Sequence, residues 1–223
     1  MKRLIKLLIL IILSCSVYFI YQNTKNTTIK VLSIGDKLSL GINSYGIKEY
    51  SYIDYYKDYL LKYNDNVDII NYSNEDLSFK ELLMQLKNTR SIKKDLISSN
   101  YLIINLGYND LIYRLSLEDN LNNNKLNTII RSIELDYNNT IKEIRKYYKE
   151  KIIVIGYYKS NHDDYYLNQG IKRLNYVLES NSLVTYIDTY NLLSSSKYFL
   201  NPNSYYPNRL AYLQISKEIA KKT

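Results

Sequence analysis

"SIGDKLSLG", residues 33–41, closes an apolar run that begins at Ile29, and its reading decides the fold. β-Branched and aliphatic residues lead into Gly35-Asp36, and polar residues follow at once. An apolar run that breaks at a glycine turn is how a parallel-sheet strand delivers side chains to its carboxyl end. A small nucleophile suits such a tip, yet this chain carries Lys37 there.

Outward from this stretch, short apolar runs alternate with longer amphipathic ones. Strands are expected at 29–34, 67–71, 101–106, 151–158 and 183–188, each rich in β-branched residues and bounded by polar turns. Helices are expected near 50–63, 78–89, 126–150, 168–181 and 207–221, where apolar residues recur at three- and four-residue spacing. Five strands each followed by a helix predict an α/β chain, a three-layer α/β/α sandwich around a flavodoxin-like five-stranded parallel sheet. Right-handed crossovers give the strand order 2-1-3-4-5. Ligands in such folds bind at the carboxyl ends of strands, so the residues after 34, 71, 106 and 188 matter most. "LEDNLNNNKLN" (118–128) reads as a solvated loop, and no internal repeat is visible.

With 223 residues the chain suits one well-buried domain. Its 27 tyrosines, absence of tryptophan and 2 prolines read as biased codon usage rather than aromatic chemistry. One cysteine excludes an internal disulfide framework, and one histidine argues against a histidine-based metal site. The net charge of +8 suits nucleic acid, anionic lipid or an acidic cell wall.

The amino terminus chooses among these. "MKRLIKLLILIILSCSVYFIYQ" places basic residues at 2, 3 and 6 before an apolar run from Leu7 to Tyr21. With its ends included this approaches the about 17–25 residues of a transmembrane helix. Basic residues ahead of the run favour the amino terminus inside and the remainder outside. Residues 1–22 are therefore expected to be a membrane anchor or signal segment, 23–28 a polar linker, and 29–223 an extracytoplasmic domain with no nucleic-acid partner. "ILSC" resembles a lipoprotein lipobox, which would make Cys15 a lipidation site, but the apolar run continues beyond it to Ile20. A retained single-pass anchor in the cell membrane, a lipoprotein and a secreted form are thus the alternatives.

The strand tips carry a resemblance. "SIGDKLSLG" is similar to the first motif block of the SGNH/GDSL hydrolases at Gly35, Asp36, Leu38, Ser39 and Gly41. "NYSNEDLSFKELL" (71–83) resembles the second block, "LGYNDL" (106–111) the third through Gly107, Asn109 and Asp110, and "NPNSYYPNRLAY" (201–212) the last. The four blocks stand in the family's order and cover the chain from residue 29 onward. The resemblance implies the SGNH fold and, in intact members, a serine that attacks an ester, a His–Asp pair that takes its proton, and an oxyanion hole of serine N–H, glycine N–H and asparagine amide.

Position by position the machinery is degenerate. The serine becomes Lys37, the glycine Asp76, the histidine Tyr206, and the aspartate Asn203 or, at shorter spacing, Ser204, while Asn109 alone survives. Ser39 lies two positions past the nucleophile, turned away by roughly 200° on a helix. His162 follows the fourth strand and offers a base only if its loop reaches the sheet edge. Lys37 would need burial among apolar or cationic groups to act as a base, and Asp36, Asp76 and Asp110 surround it with carboxylates instead. An ion pair between Lys37 and Asp76 is expected to fill the old oxyanion hole, leaving Asp36, Lys37, Asn109 and Tyr206 as ligand-binding residues.

Neither a Gly-rich phosphate loop nor an acidic metal cluster stands out, so no cofactor is expected. Three readings remain: a pseudoenzyme that binds a cell-envelope ligand such as a glycan or anionic polymer, an active esterase or O-acetyl hydrolase with non-standard residues, and a structural or assembly protein with a closed pocket. Oligomeric state is not legible.

Overall fold

The computed structural model describes residues 6, 9–18, 28–43, 45–159, 164–200 and 206–223. Five strands, β1 (Ile29–Gly35), β2 (Val67–Asn71), β3 (Tyr101–Asn105), β4 (Ile152–Ile155) and β5 (Thr185–Ile187), form one sheet in the order β2-β1-β3-β4-β5. Every pairing is parallel, with Val31 opposite both Ile69 and Tyr101, Leu102 opposite Ile152, and Ile153 opposite Thr185. This is the order expected from right-handed crossovers.

Alternation along the strands divides the core into two layers. On one face Leu32, Ile34, Leu102, Ile104, Ile152 and Val154 meet α3 (Phe79–Asn88), α4 (Arg90–Ser98), α6 (Asn123–Tyr147) and α7 (Tyr165–Ser180). On the other, Val31, Ile103, Ile153, Ile155 and Ile187 meet α2 (Tyr52–Leu61), the single turn α8 (Thr189–Leu192) and α9 (Arg209–Lys222). Each aliphatic side chain buried in this way contributes about 1.5–3 kcal/mol. Several tyrosines enter these layers with their hydroxyls satisfied: Tyr137 donates to the Leu178 carbonyl at 3.0 Å and Tyr212 to that of Ile42 at 2.8 Å.

Besides the single turn Thr189–Leu192, two short helices escape the sequence reading, α4 and α5 (Tyr108–Ser116), each 9 residues long and so only about two and a half turns of periodicity. The expected loop over 118–128 is also corrected. Asn122 caps α6 by accepting from the Asn124 and Lys125 N–H groups, so the helix begins inside the Asn-rich stretch.

The expected membrane span lies partly outside the described residues. Residues 9–18 are helical, with apolar side chains such as Leu10 and Val17 exposed. Among the described residues no helix is long and apolar enough to cross a membrane. Residues 19–27, which include most of the expected linker, are outside the description.

Candidate functional site

The turn after β1 opens the site. Asp36 N-caps the one-turn helix α1 (Lys37–Leu40), its Oδ1 accepting from the Leu38 N–H at 3.0 Å. A Cβ on Gly35 would stand 1.8 Å from Ser39 Oγ, so only glycine lets the helix fold back this closely on the strand. Ser39 faces inward and shares a 2.6 Å hydrogen bond with the buried Tyr52 hydroxyl, away from the cleft.

Four separate segments converge on one cleft of about 930 Å³ at the carboxyl ends of the strands. Lys37, Asp76, Asn109 and Tyr206 all line it. It is the place where a doubly wound sheet binds ligands. Asn203, Ser204 and His162 lie outside the described residues. Cys15 is exposed in the amino-terminal helix, far along the chain from these segments.

Lys37 does not pair with Asp76. Its Nζ lies 3.7 Å from Glu75 Oε2, with both side chains partly exposed. The reason is the turn at 74–77: the Leu77 N–H donates to the Asn74 carbonyl, and the Asp76 N–H to Asn74 Oδ1, each at 3.1 Å. Successive side chains then leave the turn in different directions, and Glu75 is the one aimed at the ammonium. The Lys37 side chain also hydrogen-bonds the Tyr206 phenol, which burial pushes up and Lys37 pulls back down.

Asn109 is committed as well. Its Nδ2 donates to the Glu75 carbonyl at 2.7 Å and the Leu77 carbonyl at 3.2 Å, using both amide hydrogens. The side chain that would stabilise an oxyanion therefore staples the 75–77 loop to α5.

Deeper in the cleft, Asp36 accepts from the Tyr157 hydroxyl through its second oxygen. Burial pushes its carboxyl up to about 7, against the hydrogen bonds from Tyr157 and Leu38, and Asp110 adds to the rise. Asp110 accepts from the Phe79 N–H at 3.0 Å and is pushed up to about 6, again by burial first. Tyr108 stacks on Tyr157, ring centroids 5.3 Å apart.

Among the described residues, the serines that line the cleft are engaged within their own helices. Ser78 closes the capping box of α3 with Glu81, donating at 2.9 Å, and Ser116 donates to the Tyr113 carbonyl at 2.7 Å. Among the described residues no cluster of three or more His, Cys, Asp or Glu could hold a metal ion. The sequence reading missed Glu75 and Tyr157. Tyr157 lies just past β4, at the end of an apolar run that marks a strand tip as plainly as the other four do. Nothing local distinguishes Glu75 from Asp76, because turn geometry alone aims them.

No family model and no curated protein matches the chain. Solved structures do match. A lipase from a goat rumen metagenome superposes with a TM-score of 0.74 at 20% identity, covering 87% of this chain and 97% of that one. An acetylxylan esterase from Geobacillus stearothermophilus gives 0.63 at 16% identity, covering 89% and 95%. A member of the lipolytic G-D-S-L family from Veillonella parvula gives 0.62 at 14%, covering 87% and 97%. The chain has the SGNH/GDSL hydrolase fold, over nearly the full length of each of these proteins.

Proposed function

We propose that this chain is a binding domain on the hydrolase fold, without serine-dependent ester hydrolysis, held at the outer face of the cell membrane by its amino-terminal segment. One observation carries the reading: Lys37 stands in the nucleophile position, tied to Glu75 and Tyr206, while both donors of Asn109 go to backbone carbonyls. Removal of a triad from a hydrolase costs on the order of 10⁶ in turnover, with ~10³–10⁴ over water left by oxyanion binding and substrate positioning. With the asparagine donor committed, part of that remainder is lost too.

The open cleft favours ligand binding over a purely structural role with a closed pocket. Membrane attachment rests on the basic residues at 2, 3 and 6 and the apolar run that follows.

Fluorophosphonate labelling and turnover of 4-nitrophenyl acetate by the purified protein test the catalytic part. Neither is expected above the uncatalysed background. Turnover abolished by Lys37→Ala or His162→Ala would replace this reading with that of a non-standard hydrolase. Carbonate extraction of cell membranes tests the anchor, which predicts that the chain stays in the pellet.

A further inference from the structure

The cleft does not end at its rim. Asp76, Glu81 and Met84 also line a second, shallower groove of about 390 Å³, together with Gln85, Asn88 and Thr89. The two spaces share these three residues and so adjoin along α3, making a trough that runs toward its carboxyl end. Its two ends differ in chemistry. The inner end presents tyrosine rings, among them Tyr108, Tyr113 and Tyr206, with Tyr113 66% exposed. The outer end presents amides and a hydroxyl, groups that both donate and accept.

Charge along the trough is largely met from within the protein. Arg114 pairs with Asp136 at 2.6 Å, Lys37 faces Glu75, Glu81 is occupied by Ser78, and Asp110 by the Phe79 N–H. Lys80, Asp76 and Glu81, whose charge the Ser78 hydroxyl does not cancel, remain: one cation and two anions. A long anionic polymer would find no uncompensated row of positive charge here, and a lipid tail would leave the outer amides without partners.

We propose that this trough binds an uncharged oligosaccharide chain, with sugar faces on the tyrosines of the inner cleft and hydroxyls on Gln85, Asn88 and Thr89 of the outer groove. Sugars combine apolar ring faces with donor and acceptor hydroxyls, the pairing that an aromatic and amide surface satisfies. The inference rests on the cleft being a binding site, and it adds the ligand class and a second subsite.

The test is titration calorimetry of the full chain in phospholipid nanodiscs with xylohexaose, cellohexaose and chitohexaose, their disaccharides, dodecanoate and a poly(glycerol phosphate) oligomer. At least one hexasaccharide should bind ten or more times tighter than its disaccharide, because only the longer chain spans both spaces. Gln85→Ala with Asn88→Ala, both exposed and so harmless to folding, should weaken the hexasaccharide about fivefold and leave the disaccharide unchanged. Tyr113→Ala should weaken both by about threefold to tenfold. Absence of saturable binding by every sugar, equal affinity for long and short chains, an inert Gln85/Asn88 double variant, or stronger binding of either charged probe would each overturn the proposal. Ester turnover by the same preparation would instead sink the binding-domain reading while leaving the length dependence to be read separately.

Discussion

Asp36 offers the sharpest test of the electrostatics in the cleft. Its carboxyl is 2% exposed, with one oxygen on the Leu38 N–H and the other on the Tyr157 hydroxyl. Burial raises it from 3.8 to about 7. Between those values the unfolded chain has released a proton that the folded chain retains, so stability falls as pH climbs through the window and levels off above about 7. At about 1.4 kcal/mol for each tenfold in proton affinity, the displacement corresponds to about 4 kcal/mol. Asp36→Asn keeps an oxygen for the cap, and Asn and Asp are comparable caps. The variant cannot ionise there, so its stability relative to the wild type should rise by about 4 kcal/mol from acid to mildly alkaline pH. Urea unfolding of both proteins, followed by circular dichroism at pH 4, 5, 6, 7 and 8, reads that difference directly. Asp110, pushed up to about 6, gives both proteins a background slope of the same sign, which the difference removes. A difference that stays flat across the window, or one that runs the other way, would refute the account of a buried carboxyl held protonated.

Three further outcomes follow from the same geometry. Gly35→Ala should destabilise by about 3 kcal/mol or more in urea unfolding, and Ser39→Ala should not rescue it, because the new Cβ also meets Ser39 Cβ at 2.6 Å. Asn109→Ala should cost about 1–3 kcal/mol through the orphaned Glu75 and Leu77 carbonyls, with loosened hydrogen exchange in the 75–77 loop. Combining Lys37→Ser, Asp76→Gly, Asn203→Asp and Tyr206→His should raise hydrolysis of 4-nitrophenyl acetate at least about 10²-fold above Lys37→Ser alone, since a hydroxyl without a base stays protonated.

Much of the fold was legible because apolar periodicity is a local property. The three central strands of this sheet are buried, so runs such as Leu102–Ile104 and Ile152–Ile155 announce themselves without regard to partners. The motif blocks at 33–41, 71–83 and 106–111, and the described part of the last at 206–212, likewise mark strand tips and helix starts, which chain order and crossover handedness then bring to one edge of the sheet. The short helices α4 and α5 were not legible, because 9 residues carry too few turns to stand out from their flanks.

What the tertiary structure decided was the pairing of side chains within that edge. Lys37, Asp36 and a nearby acid were readable as residues, but whether the ammonium meets Glu75 or Asp76 depends on the turn at Asn74, a matter of backbone direction rather than residue type. Asn109 reads as an oxyanion donor in sequence and acts as a staple in the structure, because the carbonyls of Glu75 and Leu77 lie within reach of its amide. Tyr157 meets Asp36 across 121 residues of chain, a contact set by the register of β1, β3 and β4. Burial and register are properties of the assembled sheet, and the charge state of the cleft follows from them rather than from any segment alone.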